Sequence, residues 1–196
     1  MNLSLRTLSL VTAALLALGM AGLAIGDSDE DDDDDHDERR GGWIKPGKDV
    51  QPVSNATYAE ECGACHMAYQ PGLLPSSAWQ QVMSVDALAA HYGDDASLSD
   101  GVRLALADYL NANGADQARR SRSRAFSVGG AGTGPLPRIT ATRYFRNEHD
   151  EIPASMVVNN AEVGSFSNCN ACHQGAVEGV YNEHQVKIPG FPKWED

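Results

Sequence analysis

Two copies of one five-residue word, Cys62-Gly63-Ala64-Cys65-His66 and Cys169-Asn170-Ala171-Cys172-His173, constrain this chain more than any other feature. The pattern C-x-x-C-H is the attachment signature of c-type haem. Its spacing has a chemical reason. Two thiols three positions apart on one turn can each form a thioether to the same porphyrin edge, and the histidine that follows supplies an axial nitrogen to the iron. The two words use all four cysteines, leaving none for a disulfide or a catalytic thiol. Two covalently bound haems are therefore expected, held by Cys62, Cys65, Cys169 and Cys172, with His66 and His173 as proximal iron ligands.

Other uses of these cysteines explain less. Two C-x-x-C pairs can build a four-thiolate zinc site, but zinc gives no reason for a histidine directly after each pair. Two disulfides would make the repeated word a coincidence. A thioredoxin-like pair occurs once, near a strand-to-helix junction, and not twice with a trailing histidine.

The amino terminus reads as an export signal. Arg6 precedes an apolar run over residues 8–25, and the small residues Ala24 and Gly26 come just before an abrupt polar switch at Asp27. That is the layout of a cleavable signal peptide, here 1–26, and the alanines and glycines make it a poor membrane anchor. Bacterial c-type haem is attached outside the cytoplasm, so a periplasmic address agrees with the haem words. No later segment is apolar and long enough to span a bilayer.

The chain carries 15 basic and 27 acidic residues, a formal net charge of −12. Ten of the acids fall within residues 27–38, beside His36 and with no lysine or arginine. Such a run repels itself and buries nothing, so 27–42 is expected to be a disordered acidic tail. Nothing in this charge balance suits nucleic acid.

Beyond the tail the fold class is expected to be mostly α, as two small haem-binding lobes, 43–116 and 138–196. Between them, 117–137 is rich in serine, glycine and arginine without apolar periodicity, and reads as a linker or long surface loop. In the first lobe, helices are expected over 58–68, carrying the first word, and over 79–90 after a cap at Ser76 or Ser77. A third is expected from a Ser99 cap through Leu110, stopped by Gly114. This order resembles the helical arrangement of class I cytochromes c. In the second lobe, a helix is expected over 140–150 and a short one over the second word. The remainder, with Pro189 and Pro192, should wrap irregularly around its haem.

What fills the sixth position on each iron decides function. His91 lies 25 residues after His66 and His149 lies 24 before His173; both follow apolar or aromatic segments and are the favoured distal ligands. By lobe, His91 pairs with the first haem and His149 with the second, although crossed ligation is possible; His184, Met83 and Met156 stay open. A methionine ligand would raise the reduction potential.

The stretch 50–190 resembles the bacterial dihaem cytochrome c family. The matching residues in the first lobe are Tyr58, the first word, Leu74-Pro75, Trp79, His91-Tyr92-Gly93, Ala96 and Leu98. In the second they are Arg138-Ile139, Phe145, His149, Ile152, the second word, Gly179 and Ile188-Pro189. The resemblance implies two low-spin bis-histidine haems, ligated by His66, His91, His149 and His173, in a soluble periplasmic electron carrier. It also implies redox partners such as a small oxygen-binding monohaem cytochrome or a membrane cytochrome b. Two six-coordinate irons leave no site for substrate, so a non-enzyme is expected. The alternative is a haem enzyme, a peroxidase or small-molecule reductase, or a gas sensor with one open or labile iron.

Overall fold

In a computed structural model of the chain, residues 49–192 are described, and all belong to one compact unit. The expected signal peptide 1–26, the acidic tail 27–42 with His36, positions 43–48 and positions 193–196 lie outside the described residues. Among the described residues there are seven α-helices, several 3₁₀ turns and no strand. None of the helices is long and apolar enough to cross a membrane.

Helix α1, Ala56–Gly63, starts at Asn55, whose side chain accepts the Tyr58 N–H at 2.9 Å. It ends at Gly63 and not at 68 as its sequence suggested, so Cys65 and His66 sit on the turn beyond it. Glycine is a poor helix former and marks the stop.

The single helix expected over 79–90 is two, α2 Ser76–Val82 and α3 Val85–Ala89. Ser84 interrupts it by accepting the Ala87 N–H as a new cap. Ser76 is not a cap but the first residue of α2, and its N–H donates to the distant Asp116 carboxylate at 2.6 Å. Helix α4, Asp100–Ala112, follows Ser99 as expected and buries Leu106 and Leu110 on one side. Gly114 lies just past its end, where a Cβ would run into Ser76.

The reading of 117–137 as a linker or loop is corrected in its first half. There helix α5, Ser121–Phe126, forms with Ser123 and Phe126 buried, while 127–137 hold no helix or strand. One phenylalanine anchors it among arginines and serines, too sparse an apolar signal to show as periodicity. The expected helix over 140–150 is likewise shorter. A 3₁₀ turn, Ile139–Ala141, leads into α6, Arg143–Asn147, which Thr142 caps through the Phe145 N–H. Helix α7, Cys169–Cys172, carries the second word, and 3₁₀ turns fill much of the rest.

Two apolar cores result. The first gathers Tyr58, Trp79, Met83, Leu88, Leu106 and Leu110 from α1 to α4. The second combines Phe126, Phe145, Ala176 and Tyr181 with Val50, Leu73 and Ala115. Residues from before position 116 thus complete the second core, and Ile139 packs against both. The amino-terminal strap crosses to the other half as well: the Asp49 and Val50 N–H groups donate to the Gly179 carbonyl at 2.9 and 3.0 Å. At Gly179, φ is +77°, and a Cβ would overlap the Val50 carbonyl. Only glycine combines that conformation with so close an approach.

Candidate functional site

The structure brings His66 to His91 and His149 to His173. The first pair stands with ring centroids 6.3 Å apart and planes inclined by 16°. His66 lies on the turn after α1, and its Nδ1 faces the Met67 carbonyl at 2.8 Å. His91 follows α3 in a tight turn closed by its N–H to the Asp94 carbonyl at 2.7 Å and the return bond at 3.1 Å. Tyr92 in that turn has φ of +54°, a conformation that costs a bulky residue about 1–2 kcal/mol. It is held there by its hydroxyl donating to the Pro137 carbonyl and by the Arg138 guanidinium 4.3 Å above its ring.

The second pair has centroids 6.1 Å apart and planes at 69°. His149 sits one turn after Phe145, stacked on that ring at 3.9 Å, with Nδ1 2.9 Å from the Phe145 carbonyl. Phe166 meets His149 edge-on and Tyr181 meets His173 at 5.3 Å. Around this pair opens a cavity of about 480 Å³, lined by Leu73, Phe126, Phe145, Cys169, Cys172 and Ile188 among others. At its wall Arg122 donates to the Tyr144 hydroxyl at 3.0 Å and lies 3.6 and 3.7 Å from Glu148 and Glu183.

A metal–imidazole bond is about 2.0 Å and the ring centre lies roughly 1.1 Å behind the nitrogen, so two imidazoles on opposite sides of one metal stand roughly 6.2 Å apart. Both observed separations fit that span. A carbonyl facing Nδ1 only accepts, so His66 and His149 carry their proton on Nδ1 and present the Nε2 lone pair. Burial, then His149 and Arg122, lowers the His173 pKa to about 4. Burial and His66 lower that of His91. Both rings are therefore neutral donors at neutral pH. The buried Nδ1 atoms of His91 and His173 have no hydrogen-bond partner among the described residues.

The thiols are equally informative. None is in a disulfide, and burial pushes Cys62 and Cys169 up to about 11. Neither is the poised thiolate that cysteine catalysis needs. Cys62 packs against the first core and Cys169 against the second, so the pairs do not pool into one four-thiolate set. Of the other candidates, Met83 is buried within the first core, Met156 ends the 3₁₀ turn Ala154–Met156, and His184 is exposed, 3.9 Å from Glu183. The groups that sequence did not single out as part of the site are Tyr69, Gln70, Phe166 and Tyr181. They act through contacts across the chain, with no local pattern to mark them.

Helices that set two thiol–thiol–histidine words against two further imidazoles define a c-type cytochrome with two haem centres. The dihaem cytochrome c family model matches residues 58–181. Three solved structures are similar over most of the chain. A diheme cytochrome type c from Shewanella baltica OS155 is 38% identical, covering 72% of this chain and 98% of that one, with a TM-score of 0.59. The diheme cytochrome c from Rhodobacter sphaeroides is 36% identical, covering 67% and 100%, with a TM-score of 0.57. A DHC purified from Rhodobacter sphaeroides is 37% identical, covering 66% and 99%, with a TM-score of 0.51. No curated protein matches. The chain belongs to the dihaem cytochrome c family, and its cofactors are two covalently bound haem c groups with iron.

Proposed function

We propose that this protein is an exported electron carrier whose two haem irons are each closed by two histidines. Cys62 and Cys65 would hold one porphyrin, with His66 and His91 as donors to its iron. Cys169 and Cys172 would hold the other, with His173 and His149 as donors. The observation that carries the reading is the pair of imidazole separations, 6.3 and 6.1 Å, at the span of one metal.

When bound, haem supplies a centre that gains and loses one electron without making or breaking bonds. The chain's residues set the terms of that exchange. The Met67 and Phe145 carbonyls orient the rings of His66 and His149 and raise their basicity. Phe145, Phe166 and Tyr181 keep water from the second centre, which lowers the local dielectric. The apolar run over 8–25 supports export to the periplasm, with no stable membrane insertion after cleavage. Two closed centres and an acidic chain suit brief docking to redox proteins, such as a monohaem oxygen-binding cytochrome or a membrane cytochrome b, and not to nucleic acid.

A peroxidase, a small-molecule reductase or a gas sensor needs an iron position that is free or easily freed. Carbon monoxide added to the dithionite-reduced protein separates the classes. The carrier binds none on the mixing timescale. Rapid binding at one carbon monoxide per chain would assign the protein to the enzymes or sensors instead.

A further inference from the structure

Tyr69 follows the first word by three residues, touches the first centre and reaches the backbone beside the second. Its ring stacks on His66, with centroids 4.9 Å apart and planes inclined by 23°. Its hydroxyl donates to the main-chain carbonyl of Ser167 at 2.6 Å. The same carbonyl lies 3.7 Å from the Cys169 sulfur. The backbone here is fixed on both sides. The Tyr58 hydroxyl donates to the Tyr69 carbonyl at 2.8 Å. Gln70, 0% exposed, donates to the Ala176 carbonyl and accepts from the Tyr181 hydroxyl, both at 2.6 Å. Tyr181 in turn meets the His173 ring. A residue filling space between lobes needs only apolar contact. That role gives no reason for a ring laid along an imidazole or for a hydroxyl aimed at the carbonyl two residues before Cys169.

We infer that Tyr69 is the bridge through which electrons pass between the two haem centres, joining the His66 ring to the Cys169 side of the other. This rests on the electron-carrier reading above. In the step, one electron leaves one centre and arrives at the other, with no proton transferred and no covalent bond altered. A stacked ring followed by a short hydrogen bond replaces empty space along the route, and electronic coupling decays fastest across empty space.

The test uses the full haem-loaded protein. Tyr69→Phe keeps the ring and removes the hydroxyl bond, and Tyr69→Leu removes both. A laser pulse delivers at most one electron per molecule, and the rate of redistribution between haems is read optically. Midpoint potentials and low-spin spectra are recorded alongside. The bridge predicts a several-fold slower redistribution in Tyr69→Phe and a slower one still in Tyr69→Leu, with both haems low-spin and potentials unchanged. An unaltered rate in Tyr69→Phe overturns it, as does a rate in Tyr69→Leu no slower than in Tyr69→Phe. Loss of a haem, loss of low-spin ligation, or a potential shift that accounts for the whole rate change assigns Tyr69 a structural role and also overturns it. The carrier reading fails separately, in the unsubstituted protein, if its reduced form binds carbon monoxide rapidly.

Discussion

A histidine lone pair is offered to iron and to protons alike, so the environment of each ring decides how the competition runs. At the second centre His173 is surrounded by Tyr181, the cavity wall and the second imidazole, and its pKa falls from 6.5 to about 4, by burial first and then by His149 and Arg122. A histidine whose folded pKa lies below its unfolded value favours the native arrangement above the unfolded value. That contribution is lost as pH falls from about 6.5 toward about 4. Iron at the nitrogen adds to the same preference. Absorbance titration of the ferric protein should therefore show low-spin ligation intact at pH 6.5 and lost only on acidification toward pH 4 or below. A transition centred at or above pH 6.5 would mean that the ring is protonated as easily as in water.

Helix α5 shows what a short element contributes when it carries a single anchor. Phe126, 6% exposed, enters the second core and meets Tyr144 edge-on at 4.9 Å. Truncating a buried phenylalanine costs about 3–5 kcal/mol, against roughly 0.5 kcal/mol for a change in an exposed linker. Denaturant unfolding of Phe126→Ala should show the larger loss; a change near the smaller figure would return 117–137 to the status of a linker. The same element marks where sequence stopped being informative. The haem words and α4 were legible because their signals are local: fixed spacing in one case, a serine, an apolar stripe and a glycine in the other. The break at Ser84 was not, because Trp79, Val82, Met83 and Leu88 keep an apolar face running through it. Candidate distal ligands could be named from sequence and paired only by lobe, which left crossed ligation open. Tyr69 and Gln70 were invisible because their partners, Ser167 and Tyr181, lie far along the chain.

Across the molecule, the two haem lobes proposed from sequence share their packing. Val50, Leu73 and Ala115 complete the second core, the Asp49–Val50 strap is bonded to Gly179, and Gln70 reaches Ala176 and Tyr181. These ties fix one centre relative to the other, as the proposed exchange of an electron between two irons requires. The two imidazole pairs nonetheless differ: the planes of one are nearly parallel at 16° and those of the other steeply inclined at 69°. Ligand-plane orientation shapes the magnetic anisotropy of low-spin ferric haem, so the centres should be distinguishable. The most direct measurement is electron paramagnetic resonance of the fully oxidised protein, with spin counted against chain concentration. Closure of both irons by histidine pairs predicts two low-spin ferric signals, together amounting to two haems per chain, the inclined pair giving the more anisotropic one. A high-spin signal from either haem, or fewer than two haems per chain, would contradict it.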